Sequence, residues 1–202
     1  MLDSDSNTSK SEQPKYVEIA DLDELKAWLD AHGIDTSSWG RGEAKPVESL
    51  LDEILAGESR LQDDPSLRVI SLVQVLIRRG DLVLIETEQE LADGRTRPRN
   101  LPLAEKIRAG EAVNDAVLRG LKEELGIQSH QVTIRESTYR SEQRDMISQS
   151  YPDLKTRYLM HVIEAEVEGL PSDDFVTREA SDSPDETVQA HHWSWRPIEK
   201  QA

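Results

Sequence analysis

Apolar positions recur along this chain with different spacings, and the changes of spacing mark its organisation. Residues 1–15 carry almost no apolar side chains and read as a disordered tail, because such a segment cannot offset the entropy of ordering. From Ala20 the spacing is helical: Leu22, Leu25, Trp28 and Leu29 form a stripe, Asp21 suits the N-cap with Glu24 at the reciprocal position, and the run ends near Gly33. A second stripe, Val47, Leu50, Leu51, Ile54 and Leu55, follows Pro46 and closes at Gly57. Residues 16–65 are thus predicted to form a small helical pair, joined by a turn-rich connector whose Trp39 can pin the helices together. The pair is expected to cover one face of the sheet that follows. A functional alternative makes it a dimerisation or substrate-selecting element.

At Leu67 the spacing shortens. Residues 67–79 form a long β-prone run, Gly80-Asp81 is a turn signal, and residues 82–87 resume the strand pattern, so a hairpin is predicted. Residues 131–139, 156–167 and 189–195 read as further strands, the last placing His191, Trp193 and Trp195 on one face. Residues 140–155 and 169–186 are polar and read as long loops, a length common in binding and lid segments. One firm helix among these strands gives an α+β order, unlike the alternation of a doubly wound sheet. Residues 66–200 are therefore expected to form one domain.

That helix lies within residues 110–127. Val113, Val117, Leu121 and Leu125 make one apolar stripe, Gly110 supplies a turn before it and Gly126 a stop after it. The opposite face carries Arg119, Glu123 and Glu124, with Glu111 at the entrance, so the carboxylates can converge on a hard cation that takes oxygen ligands. Upstream, Arg95, Arg97 and Arg99 concentrate guanidinium groups in residues 93–100, a loop that can serve as a solvated turn or as an anion clamp.

At these residues the chain resembles the Nudix hydrolase family, whose signature is Gly, five residues, Glu, seven residues, then Arg-Glu-apolar-x-Glu-Glu-x-Gly-apolar. Glu111, Arg119, Leu121, Glu123, Glu124, Gly126 and Ile127 occupy their motif positions; Glu105 stands at the first Gly and Gly120 at the Glu after Arg119. The resemblance implies a Nudix-type α/β/α sandwich with a mixed sheet, preceded here by the helical pair. It implies hydrolysis of a nucleoside diphosphate linked to another moiety, with Mg²⁺ or Mn²⁺ held by Glu123, Glu124 and Glu111 and with Arg119 orienting a glutamate. Arg95, Arg97 and Arg99 would then contact substrate phosphates. Gly120 removes one carboxylate, so Glu142, Glu179 or another residue of 169–186 would supply a base, or Glu105 would compensate. The alternative is a Nudix-fold binding or interaction protein without efficient catalysis. Glycine inside a helix costs about 0.5–1 kcal/mol relative to alanine, so Gly120→Glu is expected to stabilise the protein if position 120 is exposed and to strengthen divalent-metal binding; if Glu105 already fills the vacancy, the same substitution is expected to overcrowd the site.

Charge narrows the partners. Lys and Arg number 24 against 40 Asp and Glu, a net charge of -16, which disfavours a nucleic-acid duplex but admits a small nucleotide whose phosphates are bridged by cations. The absence of Cys excludes thiol catalysis, disulfides and Cys-based zinc sites. No apolar run approaches the ~20 residues that span a bilayer, so a cytoplasmic protein without membrane contacts is expected, with a homodimer as one assembly. His191 and His192, pointing to opposite faces of a strand, make a poor metal pair.

Overall fold

The computed structural model describes residues 15–42, 44–178, 180 and 188–198. The expected tail therefore lies outside the described residues, apart from Lys15, and so does Glu179.

A two-residue strand β1 (Tyr16–Val17) precedes helix α1 (Leu22–Ala31), whose N-terminus is closed as its residues dictate. Asp21 Oδ1 accepts the Glu24 N–H at 2.9 Å, and the Glu24 carboxylate reaches back to the Ala20 N–H at 2.8 Å. Helix α2 (Val47–Leu55) buries Leu50 but leaves Leu55 59% exposed, against the expected stripe. Its inward turn instead holds Glu53, which lies beneath Arg68 and Tyr151.

Strand β2 (Arg60–Gln62) pairs with β1 on one side and with the start of β3 (Leu67–Arg79) on the other, so the helical unit is continuous with the main sheet. Strand β4 (Leu82–Leu91) follows the Gly80-Asp81 turn, and the predicted hairpin is present only at its base, Arg78 opposite Val83 and Arg79 opposite Leu82. Beyond those pairs the strands part, each into its own sheet. β4 pairs with β5 (Thr96–Leu101), and β3 with β6 (Leu103–Lys106).

After the motif helix α3 (Val113–Leu125) come β7 (Val132–Ile147) and β8 (Lys155–Val167), paired antiparallel, with β8 parallel to β3 over residues 68–77. β9 (Phe175–Arg178) and β10 (Val188–Pro197) complete the second sheet, β10 lying between β4 and β9. The fold is α+β with a mixed sheet, as the element order predicts.

Two expected loops are strands. β5 takes up most of the basic segment 93–100, and β7 continues beyond the expected strand to Ile147, through the first half of the polar run 140–155. β5 and residues 140–147 are largely solvent-exposed, so neither shows the alternation by which a half-buried strand announces itself; their backbone partners on β4 and β8 hold them extended. Segment 169–186 likewise contains β9.

The main core packs Val73, Val75 and Ile77 of β3, Ile163 and Ala165 of β8, and Trp193 of β10 against Ala116, Val117, Leu121 and Leu125 of α3. A second cluster joins Leu25, Trp28, Leu29, Trp39 and Leu50 to Leu61, Tyr151 and Leu154. Trp39 does pin the unit, although its anchor is the segment between β7 and β8: its indole N–H donates to the Pro152 carbonyl at 2.9 Å, and its ring lies 5.1 Å from that of Tyr151.

Candidate active site on the motif helix

Gly110 turns into α3 with φ +80°, a conformation that disfavours any Cβ, and Gly126 ends it in the left-handed region. The Gly126 N–H donates to the Lys122 carbonyl and the Ile127 N–H to that of Leu121, which satisfies the last turn. These caps fix which residues face the strands. Gly120, Leu121 and Glu124 are buried, while Arg119 and Glu123 lie on the flank.

Arg119 is held from every side. Its Nε donates to Glu111 Oε1 at 2.9 Å, and Nη2 donates to Glu111 Oε2 at 3.0 Å and to the Lys106 carbonyl at 2.7 Å. Nη1 is shared between Glu105 Oε1 at 3.0 Å and Glu123 Oε2 at 3.3 Å. Burial opposes the charge on Arg119, yet these carboxylates push its pKa up, so the guanidinium is a permanent cation. Glu111 is correspondingly lowered, mainly by its hydrogen bond from Arg119. Glu105 is raised by burial, which outweighs the attraction of Arg119.

On the strand-facing side stands a different set. Glu86 from β4, Glu124 from α3 and His191 from β10 are all buried, and one donor atom of each lies within 4.8 Å of the other two. His191 Nδ1 is 2.6 Å from Glu86 Oε1 and 3.7 Å from Glu124 Oε2. The other oxygen of Glu86 accepts from Arg99 Nε at 3.2 Å. Burial alone would raise the Glu86 pKa, but the hydrogen bond with His191 and the charges of His191 and Arg99 bring it below the ordinary carboxylate range. Two carboxylates and an imidazole converging from three elements form a donor set suited to a divalent cation.

A family model described as the NUDIX domain matches residues 67–200. The chain belongs to the Nudix family. Solved structures with similarity include a C. elegans Ap4A hydrolase, at 20% identity over 64% of this chain and 80% of that one with a TM-score of 0.32. The E. coli ORF135 protein shows 24% identity over 64% and 74% with a TM-score of 0.32, and the E. coli dihydroneopterin triphosphate pyrophosphohydrolase 16% over 64% and 79% with 0.33. A search of curated proteins finds no match.

The Nudix helix thus divides its expected residues between two clusters. Glu124 joins Glu86 and His191; Glu111 and Glu123 engage Arg119, with both oxygens of Glu111 taken. Arg95, Arg97 and Arg99 do not converge. Arg95 pairs with Asp93 in solvent, Arg97 donates to Gln89, and only Arg99 reaches the buried cluster. Glu142 is exposed and paired with Arg144.

Sequence does not single out Glu86, and it places His191 only on one face with Trp193 and in a poor metal pair with His192, although a signal existed. Glu86 falls at the same parity as buried Leu84, and His191 at the parity of Trp193. An ionisable side chain in core phase needs a partner. His192, on the other face, pairs with Glu90, so the adjacent histidines do point apart as expected.

Gly120 also departs from expectation. It is buried, and a Cβ there would lie 3.1 Å from Glu105 Cβ, 3.2 Å from Leu103 Cδ2 and 3.3 Å from Glu105 Cγ. Position 120 is therefore not the exposed site on which the stabilising expectation depends, and the tight contact with Glu105 favours the overcrowding alternative.

Proposed function

We propose that this Nudix protein is a divalent-metal-dependent hydrolase that cleaves a nucleoside diphosphate linked to another moiety. The observation that carries this reading is the buried Glu86–Glu124–His191 donor set beside the Arg119-anchored helix. Mg²⁺ or Mn²⁺ would be held by Glu124 with Glu86 and His191, with Glu123 as a further carboxylate. Bound there, the cation would neutralise phosphate charge and lower the pKa of the attacking water.

The chain's own residues do the positioning. Arg99 orients Glu86 by donating to one oxygen, which leaves the other toward His191. Arg119 ties the helix to the loop that enters it, through Glu111 and the Lys106 carbonyl, so that the register of Glu123 and Glu124 is fixed relative to β6. Glu111 acts through Arg119, since both its oxygens already accept from that guanidinium.

A groove of about 820 Å³ beside the site is lined by Glu58, Arg108, Arg119, Lys122, Glu123 and Gln128, among others. The cations Arg108 and Lys122 suit the phosphates of a small nucleotide, and Ala56 and Glu58 bring the helical unit into the lining. This supports a substrate-selecting role for that unit. A binding protein without efficient turnover is the second reading, favoured by Gly120 in place of the motif acid.

Product release with Mg²⁺ or Mn²⁺ over ADP-ribose, dinucleoside polyphosphates, NADH and nucleotide sugars separates the two. Turnover of a substrate supports hydrolysis; saturable binding without turnover supports the second reading. Glu124→Gln is expected to weaken Mn²⁺ binding by roughly 10- to 100-fold, as disturbing a metal-ligand environment commonly does, measured by titration calorimetry. Unchanged affinity would remove Glu124 from the metal site. Among the arginines, Arg99→Ala should lower kcat/KM about tenfold through Glu86, whereas Arg95→Ala, whose side chain pairs among the described residues with an exposed Asp93, should leave it within about twofold. Equal losses at both positions would point to direct phosphate contacts instead.

A further inference from the structure

The two departures from the family motif touch each other. Glu105, on β6, runs its side chain across Gly120 of α3: a Cβ at 120 would lie 3.1 Å from Glu105 Cβ and 3.3 Å from its Cγ, closer than ordinary van der Waals contact. With any other residue at 120, the Glu105 stem and Leu103 would have to give by a few tenths of an ångström. Having crossed, the Glu105 carboxylate places Oε1 2.8 Å from the Lys106 N–H, which donates to it, and 3.0 Å from Arg119 Nη1. A carboxylate absent from the helix is thus delivered to the same neighbourhood by the adjacent strand.

Its position has a consequence for Glu123. Nε and Nη2 of Arg119 are taken by Glu111 and the Lys106 carbonyl, and Nη1, which carries two N–H groups, donates to Glu123 Oε2 at 3.3 Å and stands 3.0 Å from Glu105 Oε1 as an ion pair. Glu105 is the nearer of the two and is fixed by the hydrogen bond from the Lys106 N–H. Glu123 sits at the groove edge. Without Glu105, the positive charge at Nη1 would fall on Glu123 alone, and a cation would have to draw Glu123 from that undivided pair. With Glu105 in place, the charge is divided between two carboxylates, which weakens the hold on Glu123 and leaves Nη1 a carboxylate neighbour when Glu123 turns to a cation.

We propose that Glu105 is a positioning residue: it shares the Nη1 edge of Arg119 and so loosens the hold of Arg119 on Glu123, which a divalent cation can then take. This rests on the reading above in which Glu123 helps hold that cation. It acts through Arg119 and touches neither the cation nor the substrate.

The test is a double-mutant cycle in the full chain with Mn²⁺ alone as the probe, read by titration calorimetry, with melting temperatures taken in parallel. Glu105→Gln should weaken Mn²⁺ roughly five- to tenfold in the parent and less than about twofold in the Glu123→Gln background, the non-additivity expected of residues sharing one partner. Glu105→Asp keeps the charge but withdraws the carboxylate, and should also weaken Mn²⁺ in the parent; it serves equally if Glu105→Gln does not fold. A generic loss of negative charge would instead give Glu105→Gln the same factor in both backgrounds and leave Glu105→Asp unaffected, and that result overturns the proposal. So does an unchanged affinity in both Glu105 variants while Glu123→Gln weakens binding, although the metal-site reading would then stand. An unchanged affinity in Glu123→Gln removes Glu123 from the metal site, and the role of Glu105 falls with it.

Discussion

Gly120→Glu should lower the melting temperature by about 5–10 °C, the shift that roughly 3 kcal/mol produces in a domain of this size. The cost has two parts. The new Cβ meets Leu103 and the stem of Glu105 at 3.1–3.3 Å, on a strand and a helix whose backbones are both tied into the core. The new carboxylate then enters a buried space that already contains Glu105, whose own pKa is raised by burial. Shortening the neighbour should relieve both, so Glu105→Gly combined with Gly120→Glu is expected to recover most of the lost stability and to exchange the two motif positions. Thermal melts of the two single variants and the double decide it. Additive losses would mean that residues 105 and 120 do not share the space the structure assigns them.

The second large effect is expected at Glu53. This α2 carboxylate is buried and bonded to Arg68, to Lys45 Nζ at 3.0 Å, to the Ser59 hydroxyl at 2.9 Å and to the Tyr151 hydroxyl at 3.2 Å, and Lys106 Nζ lies 3.4 Å away. Glu53→Ala leaves the almost fully buried Arg68 without its carboxylate, and truncating one partner of a buried pair costs about 3–5 kcal/mol. The network also crosses from the helical unit to the proposed active site. Lys106 reaches Glu53 and Glu58 with its side chain while its carbonyl accepts from Arg119. Loss of Glu53 should therefore reduce activity as well as stability, with the urea midpoint and kcat/KM falling together. A variant that loses stability but keeps full activity at low temperature would separate the unit from the site.

Glu53 also sets a pH dependence. Burial raises its pKa, but Arg68, Lys106 and Lys45 more than reverse that and bring it down to about 2 from an ordinary value of 4.5. A depressed carboxylate stabilises the fold above its unfolded pKa and loses that contribution as pH falls through the folded value. The parent should therefore lose about 3 kcal/mol between about pH 4.5 and 2 that Glu53→Gln does not lose. Denaturant titrations of both proteins across this interval measure the difference; parallel curves would show that the pair contributes no net stabilisation.

The sequence by itself determined the elements with a strong local period and the helix on which the proposed site stands. The stripe from Val113 to Leu125 and the stops at Gly110 and Gly126 specify α3, because apolar spacing and left-handed glycines act within a few residues of themselves. The same holds for Asp21 capping α1. β5 and the second half of β7, residues 140–147, were not legible, since strands wet on both faces keep no alternation and exist only where a partner strand supplies their hydrogen bonds. The site divided along the same line. Arg119, Glu111, Glu123 and Glu124 share one helix and its entrance, so their chain spacing already brings them near one another. Glu86 and His191 are separated from Glu124 by long stretches of chain, and the pairing of β4 with β10 under α3 is what places all three within 4.8 Å. Gly120 shows the limit of local reasoning. Helix propensity made it a defect on an exposed face, and only the packing of β6 against α3 reveals that the glycine admits Glu105, because a steric contact between two elements is a property of neither one alone.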